Sequence, residues 1–288
     1  MTTGLKINTA LDLADGSSWV ISAEDKISRR IATILSNTMQ LNFATRLNGQ
    51  RLVTLKNGSS LSTNPTSISF SPRLYSTNDN NHPLVCQVSR PGDNDELAIQ
   101  LMKLSLIFCG LVEARGGVLI HGALAEKNGH GVILAGHGDA GKTTASRRLP
   151  LPWKSLSDDC TLIVQDGEGS YRAHPWPTWS TFMYGGLGGS WDVQYSVPLQ
   201  AIFVLKQNPA DHAEPLGQGR AVCMLNETAG QAWYPLANDL NDQERKAMSL
   251  QRFSNICELT KKIPAYLLHI SRTGAFWEEI DTVLTPVN

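Results

Sequence analysis

One glycine-rich octapeptide constrains the fold more than any other feature of the chain: Gly136-His137-Gly138-Asp139-Ala140-Gly141-Lys142-Thr143. An apolar run at residues 131–135 leads directly into it, and residues 144–149 are predicted to begin a helix. Glycines are needed in such a loop because backbone amides must turn inward around phosphate oxygens, where a side chain would obstruct them. The spacing meets the Walker A pattern in full, with a strand before it and a helix after it. The sequence therefore predicts a phosphate-binding loop.

This loop predicts a nucleotide site that combines backbone amides with one cation and one hydroxyl. The helix N-terminus contributes its dipole, Lys142 a mobile positive charge, and Thr143 a hydroxyl that can hold Mg²⁺. We expect ATP and Mg²⁺ as cofactors, and GTP in place of ATP is left open. The predicted nucleotide contacts are Gly136, Gly138, Asp139, Ala140, Gly141, Lys142, Thr143 and Thr144. The alternative, a glycine turn beside a solvated lysine, is disfavoured because the flanking strand and helix also fit.

Two adjacent carboxylates, Asp158 and Asp159, follow downstream of Lys142. Near a nucleotide, two acids can divide the work of holding Mg²⁺ and accepting a proton from a substrate hydroxyl. A Walker B acid ends an apolar strand, whereas here the apolar residues 161–164 follow the pair. Alone, the pair would be interpreted as part of a loop or as a helix cap. Because a predicted phosphate loop is also present, the catalytic interpretation is favoured instead. Asp159 is the predicted base and Asp158 the predicted metal contact, with the opposite assignment left open by their adjacency.

Other candidates have both a structural and a functional interpretation. His121 lies in an apolar run, where a lone histidine is usually a satisfied core residue, and His137 is predicted to contribute its backbone amide to the loop. Residues 174–179, His-Pro-Trp-Pro-Thr-Trp, either stack on a base or a substrate or simply pack. The second glycine-rich stretch, residues 185–192, is either a flexible connection or a lid beside the active site.

The chain is predicted to be α/β and to consist of two parts, residues 1–95 and 96–288. In the first, a smaller α+β part, Ser22 and Asp25 form a capping box before a helix with Ile27, Ile31 and Ile34 on one face. Predicted strands lie at residues 51–56, 67–71 and 84–88, with a loop at 76–83.

The second part opens with a capping signal at residues 93–96 and a helix with a single apolar stripe, Leu97, Leu101, Leu104, Phe108 and Leu111. Asn128-Gly129 predicts a hairpin between strands 118–125 and 131–135. Further strands are predicted at 161–165, 201–205 and 265–270, and helices at 242–262 and 275–284.

Composition excludes several classes of protein. The formal net charge of −1 and pI of about 6.7 give no global field that favours nucleic acid or an anionic membrane. The five cysteines are odd in number and have no Cys-x-x-Cys spacing, which argues against a disulfide framework or a zinc site. The N-terminus lacks the apolar segment of a signal peptide, and the longest apolar stretch is too short to span a bilayer. We therefore expect a cytoplasmic protein, with no nucleic-acid or membrane partner and with homo-oligomerisation left open.

Taken in order, these motifs resemble the HPr kinase/phosphorylase family, whose kinase domain is related to phosphoenolpyruvate carboxykinases. The resemblance covers roughly residues 116–205 and rests on His121-Gly122 before the phosphate loop and Ser157-Asp158-Asp159 after it. It implies a P-loop kinase core of the carboxykinase type behind a smaller N-terminal domain for substrate recognition or a lid. In that family the histidine lies near the transferred phosphate, and the aspartates supply a base and a magnesium contact. The implied catalytic residues are Asp159, Asp158, His121 and Lys142, and the implied metal contacts are Thr143 and Asp158.

Residues 174–180, residues 188–192 and Val197-Pro198-Leu199-Gln200 are more similar to the HPr-kinase-like protein of SynChlorMet peptide-modification cassettes, which has relatives in lasso-peptide clusters. The arginine of the HPr kinase family's later loop is absent from residues 184–188, which argues against phosphorolysis and against HPr as the substrate. The resemblance implies an ATP- and Mg²⁺-dependent serine kinase whose acceptor is a peptide or small protein. The alternatives are an HPr kinase/phosphorylase-type regulator, a non-catalytic nucleotide-sensing module and a carboxykinase acting on a small acid.

Overall fold

Two β-sheets and the helices around them form a mixed α/β structure. The computed structural model describes residues 7–44, 50–58, 69–71 and 84–285. The strands of the first sheet are β1 Ile7–Asp12, β2 Ser18–Ala23, β3 Asn42–Phe43, β4 Arg51–Asn57, β5 Ser69–Ser71 and β6 Leu84–Val88. Their spatial order is β3-β1-β2-β4-β6-β5. Strands β1 and β2 form an antiparallel hairpin, whereas β2, β4 and β6 run parallel.

Helix α1, Lys26–Thr38, packs on this first sheet, with Ile31 and Leu35 fully buried. The predicted helix is confirmed, but the prediction that Ser22 caps it is wrong, because Ser22 lies within β2. Asp25 is the N-cap instead: its carboxylate accepts from the backbone amides of Ile27 and Ser28 at 2.8 and 3.0 Å. The cap begins three residues later than predicted because β2 continues to Ala23.

Helix α2, Asn94–Glu113, forms the junction between the two predicted parts. Its N-cap is Asp93, as predicted, with the carboxylate accepting from Glu96 N at 2.8 Å. All five residues of the predicted apolar stripe are buried, and the burial extends beyond the stripe, because every residue from Leu104 to Glu113 is buried. Phe108 meets Trp19 of β2 edge-on, with ring centroids 5.7 Å apart. One apolar cluster therefore includes residues on both sides of position 95, and the boundary there stays a prediction.

The second sheet carries the candidate site. Its strands are β7 Val118–Lys127, β8 His130–Ala135, β9 Lys154–Ser157, β10 Cys160–Gln165, β11 Tyr171–Trp176, β12 Val197–Gln207, β13 His212–Pro215 and β14 Ala265–Ile270. The order is β11-β10-β7-β8-β12-β14-β13, with β9 also pairing with β7. Strands β8, β12 and β14 are parallel, so their carboxyl ends share one edge of the sheet. The described helices that follow are α3 Lys142–Arg148, α4 Gln218–Ala237, α5 Asp242–Lys262 and α6 Phe276–Leu284.

Most predicted elements of the second part are confirmed, and the Asn128-Gly129 hairpin has both residues at positive φ, 53° and 82°. The predictions did not include β1, β2, β3, β9, β11, β13 or α4. The predicted loop at 76–83 and the first residues of the strand predicted at 67–71 lie outside the described residues. None of the helices in the described ranges combines the length and apolarity needed to cross a bilayer.

A buried histidine, His174, joins three segments of the fold. Its Nδ1–H donates to the Val193 carbonyl at 2.8 Å, and its Nε2 accepts from the backbone amide of Ala14 at 3.2 Å. Burial lowers the pKa of His174 from 6.5 to about 4, opposed in part by the hydrogen bond to Val193. The imidazole is therefore neutral in the folded protein over a pH range in which the unfolded chain would bind a proton.

This difference predicts an acid-sensitive free energy of unfolding. The stabilisation is complete above about pH 6.5 and is lost as the pH falls toward about 4, because protons bind the unfolded chain first. Between about pH 6.5 and pH 5 the loss from this residue should be about 2 kcal/mol. Urea unfolding across this range should give a flatter pH profile for His174→Gln, whereas His130→Gln, at the exposed start of β8, should match the wild type. Parallel profiles for wild type and His174→Gln would contradict the assignment.

Candidate functional site

The glycine-rich loop begins where β8 ends, at the carboxyl edge of the parallel strands. A Cβ at Gly136 would lie 2.8 Å from the Cβ of Ala140, so a side chain there would force the loop apart. Gly141 has φ +94°, a conformation that favours glycine. The amide of Ala140 donates to the His137 carbonyl at 3.2 Å, which closes a turn inside the loop. The backbone of residues 136–143 is therefore tightly turned, as the glycine positions of the Walker A pattern predict.

Lys142 is the buried cation of this loop. It is 6% exposed, and its Nζ donates to the carbonyl oxygens of Gly136 and His137 at 2.9 and 2.8 Å. Burial lowers the pKa of Lys142, and the negative charge of Asp159 partly restores it. A buried ammonium beside the loop is the charge that a phosphate would meet.

His121 and Asp159 form the central polar pair of the site. Antiparallel pairing of β7 with β10 places Cys160 opposite His121, and β9 pairs with β7 further along through Ser157 and Leu124. The bend at residues 158–159 therefore lies beside His121, whose Nε2 is 2.8 Å from Asp159 Oδ1. Burial alone would raise the pKa of Asp159, but the hydrogen bond and charge of His121, together with the charge of Lys142, hold it below its usual value. Asp159 is therefore ionised at neutral pH.

Sequence reasoning missed a side chain that links His121 to the glycine-rich loop. Gln231, on α4, places Oε1 3.1 Å from His121 Nδ1 and Nε2 2.8 Å from His137 Nδ1. His137 Nε2 lies 3.3 Å from the carboxylate of Glu227, one turn earlier on α4. With this amide orientation Gln231 presents its oxygen to His121 and its NH₂ group to His137. His137 thus contributes its side chain as well as its backbone to the site.

Asp158 has a different environment from its neighbour. Its Oδ1 accepts from the Thr178 hydroxyl at 2.6 Å, and Thr178 lies just beyond β11. Thr143, the other predicted metal contact, lies in the first turn of α3 and is partly exposed. Among the described residues, no group of three or more His, Cys, Asp or Glu side chains is arranged to hold a metal ion. A hydroxyl and a carboxylate are nonetheless the oxygen ligands that suit Mg²⁺.

A cavity of about 690 Å³ opens beside the loop, on the side of β12 and β14. Its lining includes Gly141 and Thr144 of the loop and α3, Asn208 after β12, and Ser271 and Arg272 after β14. Gln207, also in the lining, donates from Nε2 to the Asp139 carbonyl at 2.9 Å and so ties the loop to the end of β12. A Cβ at Gly138 would have no heavy atom within 4 Å other than those of the adjacent residues, so the loop is open to solvent at this residue.

The aromatic segment 174–179 packs into the protein. His174, Trp176 and Trp179 are 0%, 1% and 4% exposed, which leaves no ring face for a ligand. Trp179 Nε1 donates to Ser105 Oγ of α2 at 2.9 Å. The structural interpretation of this segment is therefore correct, and stacking on a base or a substrate is not supported.

The second glycine-rich stretch lies across the first part of the chain. The amide of Tyr184 donates to Asp95 at the start of α2, and that of Trp191 donates to the Thr38 carbonyl at the end of α1, at 2.8 and 2.7 Å. Between these anchors Leu187 is fully exposed. We call residues 178–191 the bridging segment, because it runs from the carboxylate pair to helices α1 and α2.

These features define a mixed α/β protein in which a Walker A loop lies beside a His–Asp pair. The family model described as SynChlorMet cassette protein ScmC matches residues 84–285, more than half of the chain. The chain therefore belongs to the ScmC family of SynChlorMet cassette proteins. A comparison with curated proteins gave no match.

Proposed function

We propose that this protein is an ATP- and Mg²⁺-dependent kinase of the HPr-kinase-like P-loop type. It transfers the γ-phosphate of ATP to a hydroxyl, that of a serine, on a peptide or small protein during peptide natural-product modification. The observation that carries the proposal is the convergence of Lys142, Asp159 and His121 beside the Walker A loop. A phosphate-binding cation and an ionised base next to each other are what phosphoryl transfer to a hydroxyl requires.

The proposed reaction uses the two acids differently. Asp159 accepts the proton of the acceptor hydroxyl as its oxygen bonds to the γ-phosphorus, and the bond to the β,γ-bridging oxygen breaks to release ADP. Lys142 neutralises charge on the phosphate oxygens as the bond breaks. His121 holds Asp159 in position and keeps it ionised. The Thr143 hydroxyl and the Asp158 carboxylate would hold Mg²⁺, which supplies further charge neutralisation at the phosphates when it is bound.

The cavity orients the nucleotide in this proposal. Asp159 and His121 lie on the β7 side of the loop, whereas the cavity lies on the β12 and β14 side. The nucleoside therefore occupies the cavity, and the phosphates cross the loop toward Asp159. A volume of about 690 Å³ is within the range of cofactor pockets.

The direct test is transfer of label from γ-³²P-ATP. The purified protein, Mg²⁺ and the peptide encoded beside its gene should give a labelled peptide with phosphoserine, and ADP in equal amount. HPr serves as the alternative acceptor. Binding of Mg-ATP without label on any acceptor would favour the nucleotide-sensing module, and absence of Mg-ATP binding would contradict the proposal.

Gln231 is predicted to act as a positioning residue. Gln231→Leu removes the acceptor for His121 and the donor for His137, and kcat should fall about tenfold while Mg-ATP affinity is unchanged. Gln231→Glu keeps an acceptor oxygen toward His121 and should retain most of the activity. Steady-state kinetics with calorimetry checks both variants. A wild-type kcat for Gln231→Leu would show that the link between the histidines has no catalytic role.

A further inference from the structure

A second cavity, of about 460 Å³, lies in the first part of the chain between α1 and the residues that join β6 to α2. Its lining consists of Lys26, Ile27, Arg30, Ile31, Arg90 and Pro91, and we call it the basic groove. The three cations are exposed around its rim. The apolar floor comprises the buried Ile31 and the partly buried Ile27 and Pro91. Such a groove presents positive charge around an apolar recess.

The three cations of the basic groove are not paired with carboxylates in the part of the chain that the structure describes. Within the described ranges, no ion pair or side-chain hydrogen bond engages Lys26, Arg30 or Arg90. The neighbouring carboxylates have other partners, since Asp25 and Asp93 cap α1 and α2. Three further nearby acids are engaged as well: Glu24 with Lys56, Glu96 with the amide of Gly92, and Asp95 with the amide of Tyr184. An anionic ligand would therefore meet three uncommitted cations.

The combination of charge and recess selects the class of ligand. Inorganic phosphate would contact the cations of the rim but not the apolar floor. A membrane surface would require protruding apolar side chains, whereas Ile31 is buried. A peptide can place an apolar side chain on the floor and carboxylates at the rim. Its acidic residues would carry the charge opposite to that of the rim.

The bridging segment connects this groove with the phosphate site. Thr178 contacts Asp158, and Tyr184 contacts Asp95, four positions along the chain from Pro91. At the far end, Trp191 contacts the end of α1, the helix that carries Lys26 and Arg30. The same segment therefore contacts the carboxylate pair and both helices that flank the groove.

We propose that the basic groove binds an acidic segment of the peptide acceptor, with one apolar side chain of that segment against Ile27, Ile31 and Pro91. That the ligand is the acceptor of the kinase rests on the proposed function. Binding of an acidic peptide to the groove, however, can be measured without ATP. The groove acts as a docking site remote from the reacting hydroxyl. It would lower KM for the acceptor and leave kcat unchanged.

The test uses the full chain and a fluorescein-labelled nonapeptide with the repeat Glu-Glu-Leu. Replacement of Lys26, Arg30 and Arg90 by glutamine should weaken binding about tenfold in fluorescence anisotropy. A matched control replaces three exposed cations of α4 and α5, Arg220, Lys246 and Lys261, and should bind as the wild type does. The same peptide with serine in place of leucine should bind more weakly, which isolates the apolar floor.

Three outcomes would overturn the groove assignment: equal affinity of the groove variant and the control variant, equal affinity of the leucine and serine peptides, or binding of phosphatidylserine vesicles without peptide binding. Calorimetry with Mg-ATP separates this proposal from the kinase proposal. Normal Mg-ATP affinity without peptide binding rejects the groove alone, whereas peptide binding without Mg-ATP affinity or phosphotransfer rejects the kinase. The groove variant should bind Mg-ATP normally, which also verifies that it folds.

Discussion

Asp159→Asn should reduce phosphotransfer by about 10²–10⁴-fold, the usual contribution of a general base. The substitution preserves size and can still accept the hydrogen bond of His121, but it removes the charge that takes the proton. Because Asp159 lies at 2.8 Å from His121 and interacts electrostatically with Lys142, the loss should appear in kcat. Affinity for Mg-ATP should change far less. Calorimetry measures this affinity, and initial rates measure kcat.

Asp158→Asn distinguishes the two acids. Asp158 interacts with Thr178 rather than with the histidine, so its loss should weaken Mg²⁺ binding and raise the Mg²⁺ concentration needed for half-maximal rate. Glu168→Gln, in an exposed turn after β10, removes the same charge away from the site and should be neutral. If Asp159→Asn kept the wild-type rate and Asp158→Asn did not, the roles of the two acids would be exchanged. Wild-type rates for both would make the pair structural.

Lys142→Met should abolish most activity, with a decrease of about 10²–10³-fold in turnover and a clear loss of Mg-ATP affinity. The methionine chain fills a similar volume, but the carbonyl oxygens of Gly136 and His137 lose their donor. The phosphates lose the one cation that the loop supplies. Calorimetry and initial rates measure the two effects separately.

Lys246→Met, on the exposed face of α5, provides the control for loss of a lysine charge. Thermal unfolding should show that Lys142→Met stays folded, because a buried ammonium is replaced by an apolar group that costs nothing to desolvate. A variant that bound and turned over Mg-ATP like the wild type would reject the nucleotide interpretation of the loop.

Local signals in the sequence predicted the elements that depend on neighbouring residues. The Walker A loop, the Asn128-Gly129 hairpin, the cap at Asp93 and helix α5 each depend on short-range spacing, which a single segment specifies. The cap at Ser22 was misplaced because two capping residues lie three positions apart, and only the length of β2 decides between them. Strand β11 was not predicted because His-Pro-Trp lacks the alternation typical of strands.

The tertiary structure alone decided how the site is assembled. The Asp pair lies beside His121 because β9 and β10 both pair with β7, and such long-range pairing has no signature in either segment. Gln231 reaches His121 from α4 across 110 positions of chain, so only the packing of α4 could reveal it. Likewise the second half of α2, from Leu104 to Glu113, is buried on all sides because it lies between two parts of the chain. Sequence by itself therefore determined the glycine-rich loop and suggested its candidate chemistry, whereas burial and strand pairing, which depend on residues distant in the chain, decided which groups surround the loop.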